Sequence, residues 1–170
     1  MRSLILLCLL LAAPALAQPR AAAPRQLGVF QNWTAATFTD GGQKVCYAFT
    51  RATRVEGAGQ RGPQNVQLLV THRPGTRDAV AVRSGYNFGR GAEIRLVIGQ
   101  SDLPGYTNQD SGFIRDGRAA VAAMRGGREA LSRAAGPNNR GTVQNVFSLA
   151  GFSAAHDAIS RECPTTPARR

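Results

Sequence analysis

The sequence predicts an all-β domain, a sandwich or barrel of short strands, with one short internal helix and a second helix near the C-terminus. Three observations lead there. Apolar and polar residues alternate in segment after segment, Gly/Asn/Asp-rich breaks part these segments at roughly 8–12-residue spacing, and two stretches carry helix caps and helix composition.

Taken in order, the alternating runs are Val45, Tyr47 and Phe49; Val66, Leu68 and Val70; Val80 and Val82, continued by Tyr86 and Phe88; Ile94, Leu96 and Ile98; and Val143, Phe147 and Leu149. Successive side chains of a strand point to opposite faces, so each run reads as a half-buried strand. The breaks are Asp40-Gly41-Gly42, the run 56–63, Pro74-Gly75, Gly89-Arg90-Gly91 and Gly136-Pro137-Asn138-Asn139. Asp40-Gly41 lies between two alternating runs and signals a hairpin, because a tight hairpin turn needs residues that tolerate φ > 0. Asp116 can cap a helix over 118–125 that Gly126-Gly127 stops, and Ser153 can cap one over 154–163 that Pro164 stops. On the second helix Ala155, Ile159 and Cys163 recur every four residues, which puts the Cys163 sulfur on the buried side. Residues 128–135 (REALSRAA) are helical by propensity, yet their place between a Gly pair and a Gly-Pro turn suits a short strand as well.

The chain has 170 residues and 18.0 kDa, 43% hydrophobic and 18% charged, the balance of one globular domain rather than a disordered or collagen-like chain. A chain of this size buries roughly two-thirds of its unfolded surface, enough for a core without a metal or a dense disulfide frame. Its 21 basic residues include a single lysine, Lys44, and against 10 acidic residues they give a formal charge of +11. Anionic lipid or acidic polysaccharide are partners that such a charge favours. The arginines are scattered singly apart from Arg169-Arg170, with no aromatic-basic alternation to stack on bases, so nucleic acid is not an expected partner.

Arg2, the apolar run over 3–13 and Ala15-Leu16-Ala17 have the order of an export signal: positive start, apolar segment, cleavage site. The run is shorter than the about 20 apolar residues that span a bilayer, and Pro14 interrupts it. The expected divisions are a signal peptide at 1–17, a flexible linker at 18–26, one domain at 27–163 and a flexible tail at 164–170, with no transmembrane anchor beyond the signal. Cleavage removes Cys8 and leaves Cys46 and Cys163, an even pair that reads as one disulfide in an oxidising compartment, two buried thiols being the alternative. The expected location is the periplasm, with peripheral attachment at the outer membrane.

Several blocks together resemble the invasion associated locus B family of exported bacterial proteins, over nearly the full length. They are Gly28 to Phe30 with Trp33-Thr34, Lys44-Val45-Cys46-Tyr47, Leu68-Leu69-Val70-Thr71-His72-Arg73-Pro74, Gly85-Tyr86, Val121 to Gly126, Arg140-Gly141-Thr142, and Phe147-Ser148-Leu149-Ala150-Gly151-Phe152-Ser153-Ala154-Ala155, closing on Cys163. The resemblance implies an immunoglobulin-like β-sandwich with a C-terminal helix, located in the periplasm or at the outer membrane, and it favours strand for 128–135. Some relatives are linked to host-cell invasion. The sequence departs from the family pattern at 112–116, where relatives often carry a Trp-containing acidic loop, and at Asn145, where Asp is usual. Function carried by that loop would here fall to Phe113, Ile114 and Arg115.

Candidate chemistry is sparse. Gly57-x-Gly59-x-x-Gly62 has the spacing of a dinucleotide fingerprint, but Pro63 and a strand follow where a helix should aim its N–H groups at phosphate, so a loop is expected. The turn Gly151-Phe152-Ser153-Ala154-Ala155 resembles a nucleophile elbow with Ala155 in place of the last glycine, and Ser153 is read first as a helix cap. A hydrolase would need His156 or His72 as base and an acid such as Asp78 or Asp157. His72 is in phase with Leu68 and Val70, which reads as a buried structural histidine. With two histidines and both cysteines paired, the ligands for a zinc site are too few, and no metal or cofactor is expected. The expected function is that of a non-enzymatic interaction module meeting an envelope or host-surface protein, with His72, Arg73, Phe113, Ile114 and Arg115 as candidate contact residues. The rival readings are a periplasmic serine hydrolase built on Ser153 and an anion-binding module.

Overall fold

The structure, a computed structural model, describes residues 23–57 and 62–165. The expected signal peptide, the expected linker up to residue 22 and Arg169-Arg170 lie outside the described residues. Strands β1 (Arg25–Phe30), β2 (Trp33–Asp40), β3 (Gln43–Arg51), β4 (Arg54–Gly57), β5 (Gln67–Arg73), β6 (Thr76–Arg83), β7 (Glu93–Ile98), β8 (Ser101–Asn108) and β9 (Ser111–Ile114) precede helix α1 (Gly117–Gly126). Strands β10 (Glu129–Ala135) and β11 (Thr142–Ser148) and helix α2 (Phe152–Glu162) follow it. The eleven strands form one hydrogen-bonded antiparallel sheet in the order β1-β2-β3-β5-β6-β9-β8-β7-β10-β11-β4.

That sheet folds over on itself as a sandwich, as expected. Its two ends are tied where Trp33 Nε1 donates to the Ser148 carbonyl at 3.0 Å and the Asn32 N–H donates to that of Ala150 at 3.3 Å. The chain also changes layers between β3 and β4: the Ala52 N–H bonds Val66 and the next N–H, of Thr53, bonds Val146. Gly41 and Gly42, at φ 55° and 78°, close the β2–β3 hairpin where Asp40-Gly41 signals it.

One face of β2, β3, β5 and β6 lines the core. Register sets Ala35 against Ala48, Ala48 against Val70 and Val70 against Val80, all buried. Helix α2 lies on β1, β2 and β3, with Ala155 and Ile159 fully buried and Phe152 in edge contact with Trp33 at 4.8 Å. The small residues Ala35 and Ala48 leave room for it.

Four expectations change. Val45, Tyr47 and Phe49 share the face of β3 opposite to Cys46, Ala48 and Thr50, and it is the latter three that face the core; Tyr47 instead packs with Phe38 and Phe49 on the outer side. Tyr86 and Phe88 lie in a loop, where Tyr86 Oη donates to the Ala135 carbonyl at 2.6 Å and the Phe88 N–H bonds Gln109. Ser153 does not cap α2. Gly151 holds the cap position at φ 89°, because a Cβ there would lie 1.9 Å from the Phe30 carbonyl oxygen and an L residue would be strained. Finally, β1 begins at Arg25, inside the expected linker, since Arg25 pairs with Thr37 and its guanidinium reaches Glu162 at 2.8 Å.

Other readings hold. Asp116 caps α1, its Oδ1 accepting from the Ala119 N–H at 2.9 Å. Residues 129–135 are strand: β10 is paired on both sides, by β7 and β11, and that pairing outweighs the helical propensity of its residues.

Candidate functional site

The site grows from an irregularity in the β5–β6 pair. Thr71 faces Ala79 and Arg73 faces Thr76, so Arg77 and Asp78 together stand opposite His72. This is a β-bulge, and Asp78 takes φ 54°, a left-handed conformation that aspartate tolerates better than most residues. The bulge turns two neighbouring polar side chains toward the helices. Gly117, the first residue of α1, completes the approach: a Cβ there would lie 1.8 Å from the Asp78 carbonyl oxygen, so only glycine lets the helix start come this close.

Four elements then meet in one polar network. The Asp78 N–H donates to His72 Nδ1 at 3.2 Å, and His72 Nε2 lies 3.1 Å from Ser160 Oγ on α2. Asp78 Oδ1 lies 2.8 Å from His156 Nε2, and Arg125 Nη2 of α1 lies 2.8 Å from His156 Nδ1. Arg125 also pairs with Asp157 and holds that carboxyl below its ordinary range. The two imidazoles meet edge to face with centroids 5.1 Å apart.

The donors around the rings assign their protons. A backbone N–H and a guanidinium only donate, so both Nδ1 atoms accept; each Nε2–H therefore donates, from His72 to Ser160 and from His156 to Asp78. Burial, reinforced by the Arg77 charge and partly offset by Asp78, pushes the His72 pKa down to about 4.

The ring nitrogens of this cluster are engaged in hydrogen bonds. His72, Asp78 and His156 present ligand atoms within 4.8 Å of one another, two imidazoles and a carboxylate, as in many metal sites. The His72 Nδ1 lone pair is occupied by the Asp78 N–H, however, and His156 Nε2 carries a proton toward Asp78. Nor can His72 take a proton from Ser160, since its Nε2–H already points there. Ser153 makes no hydrogen bond to either histidine among the described residues.

Beside the network opens a cleft of about 630 Å³. Lys44, Arg73, Arg77 and Arg118 line it, against Asp78 and Glu162, together with Cys163. Arg77 donates to the Cys163 carbonyl at 2.6 Å and to Ser160 Oγ at 3.2 Å. Lys44 and Arg25 both reach Glu162, holding its carboxyl below the ordinary range.

The residues singled out in the sequence fall in three places. Cys46 and Cys163 are joined, with Cα atoms 6.1 Å apart, so the disulfide reading holds. His72 is buried at 1% exposure and joins Asp78 and His156, while Arg73 lies at the cleft rim, 3.3 Å from Asp40. Phe113 and Arg115 do not line the cleft and gather around Tyr106: Phe113 stacks on its ring at 5.4 Å and the Arg115 guanidinium sits 5.6 Å from its centre. Ile114 is no contact residue. At 6% exposure it belongs to the core, because β9 alternates and its Phe113 side faces out. Sequence reasoning passed over Arg77 and Arg118. The signal for Arg77 was available: Arg77-Asp78 are two polar residues in succession, breaking the alternation just after the Pro74-Gly75 turn.

Fold and site together define a class: a disulfide-stapled antiparallel β-sandwich, closed by a C-terminal helix over a buried histidine pair. No protein-family model matches this chain, and no curated protein matches it. The crystal structure of invasion associated protein B from Bartonella henselae does match, with a TM-score of 0.52 and 15% identity over 83% of this chain and 99% of that one. At that identity the likeness is one of fold, and the chain has a fold like that of invasion associated protein B.

Proposed function

We propose that this chain is an exported envelope protein that works as a non-catalytic interaction module, cleaved after Ala17 and held in the periplasm or peripherally at the outer membrane. One observation carries the non-catalytic part: every imidazole nitrogen is already engaged inside the polar network, leaving no free base beside Ser153 or Ser160. The Cys46–Cys163 disulfide supports an oxidising compartment. No helix among the described residues is long and apolar enough to cross a membrane, which is compatible with a peripheral protein. The solved protein of like fold is named for invasion, and this supports contact with a host or envelope protein as the setting.

The test is a turnover screen of the mature protein on ester, peptide and phosphoester substrates, with Ser153→Ala and Ser160→Ala controls. No turnover above buffer is expected. Turnover abolished by either substitution overturns the reading. Fractionation tests the location: the protein should appear in the periplasmic fraction, with any membrane-held portion released by about 1 M salt, where charge attraction is screened within about 3 Å. Release by detergent alone contradicts peripheral attachment.

A further inference from the structure

We infer that the cleft beside the Cys46–Cys163 disulfide binds a phosphomonoester group carried on a larger molecule, an assignment that rests on the interaction-module reading above. Two acidic side chains near it are paired with cations, Glu162 with Lys44 and Arg25 and Asp40 with Arg73, while Asp78 meets the neutral His156 N–H and keeps its charge. Arg77 differs, because the partners of its guanidinium are neutral oxygens, the Cys163 carbonyl and Ser160 Oγ. They orient the side chain without cancelling its charge. Arg118 lines the same cleft from the first turn of α1 and has no hydrogen-bond or ion-pair partner among the described residues.

With Lys44 and Arg25 against the single Glu162, and Arg77 and Arg118 against the single Asp78, this concave surface holds an excess of two positive charges, which suits a dianion. A phosphomonoester carries close to two negative charges at neutral pH and three acceptor oxygens, and the planar N–H fork of arginine fits it in bidentate fashion. A carboxylate would answer only one of the two charges. The volume of about 630 Å³ is that of a small-molecule site and leaves room for the group that carries the phosphate.

The geometry is built rather than incidental. The bulge places Arg77, its hold on Cys163 fixes it, and Gly117 brings the first turn of α1, with Arg118, against Asp78. Backbone irregularity of this kind is typical of places where a side chain is re-aimed for use.

Calorimetry on the disulfide-intact mature protein tests this with glucose 6-phosphate, inorganic phosphate and galacturonate, and co-sedimentation tests it with phosphatidic acid vesicles. Binding to at least one phosphomonoester probe is expected, tighter than to galacturonate. It should weaken about tenfold in Arg118→Gln, as for loss of one charge-assisted hydrogen bond. Arg118 is exposed, so this variant leaves the fold intact; Arg77→Gln also loses the tie to Cys163 and is read only alongside an unfolding curve. Arg140→Gln, exposed and outside the cleft, should bind as wild type. Binding to the soluble phosphosugar assigns a sugar phosphate; binding to the vesicles alone assigns a lipid headgroup. No binding to any phosphate probe, equal affinity for galacturonate, or equal weakening by Arg118→Gln and Arg140→Gln overturns the proposal. Such a failure leaves the module reading standing, whereas hydrolysis of a phosphoester probe would overturn that reading instead.

Discussion

Asp78 and His156 stand 78 positions apart in the chain and 2.8 Å apart in space, joined through Oδ1 and Nε2. The bond fastens the bulge of β6 to α2, and Arg125 carries it on to α1. Asp78→Ala should therefore cost about 2 kcal/mol, the worth of a partly buried hydrogen bond to a charged group. Asp78→Asn keeps an acceptor oxygen and tolerates φ 54°, so it should cost under about 1 kcal/mol. Urea unfolding of both variants checks this, and equal losses would contradict the role given to the bond.

The disulfide spans 117 positions. Closing so long a loop stabilises by about 4–5 kcal/mol in the chain-entropy model, and the double variant Cys46→Ala, Cys163→Ala should lose close to that. Guanidinium unfolding measures the loss. Non-reducing peptide mapping of exported protein should recover the two cysteines in one linked species.

At the entry to α2 two substitutions separate the caps. Gly151→Ala should destabilise by more than about 1 kcal/mol, because φ 89° is strained for alanine and its Cβ would meet the Phe30 carbonyl. Ser153→Ala should stay within about 0.5 kcal/mol, since Ser153 makes no capping bond. Thermal unfolding of the pair reads this directly, and a larger loss at Ser153 would restore it as the cap.

Acid should act through His72. Its folded pKa of about 4 lies below the ordinary 6.5, so the unfolded chain takes up the proton first as pH falls. Stability contributed by the neutral ring is complete above about pH 6.5, declines between 6.5 and 4 by up to about 3 kcal/mol, and changes no further from this group below that. Unfolding free energy measured from pH 7 to 4 should show this slope, and His72→Gln should remove it.

How much of this was legible in the sequence follows from what periodicity encodes. Alternation tells which residues share a face, and it placed Leu68, Val70 and His72 together on the core side, where they are. It does not tell which face turns inward. On β3 the aromatic set Tyr47 and Phe49 looked like the core side, yet docking of α2 favoured the smaller Cys46 and Ala48. Asp116 was readable as a cap because the signal is local, whereas Gly151 displaced Ser153 through contact with Phe30, 121 positions away in the chain. The same applies to the site. Burial of His72 was legible, but its meeting with Asp78 and His156 depends on a bulge and a docked helix, neither of which has a local signature.

Both histidines tie the bulge of β6 to the helices through their ring nitrogens. Long-range proton–nitrogen correlation spectra of the folded protein near pH 7 test this most directly, since they report which ring nitrogen holds the proton. The Nε2–H form is expected for His72 and for His156 alike. An Nδ1–H form at His72 would free Nε2 to act as a base toward Ser160. The same form at His156 would set the Nε2 lone pair against the Asp78 carboxylate, and either result would overturn these proton assignments.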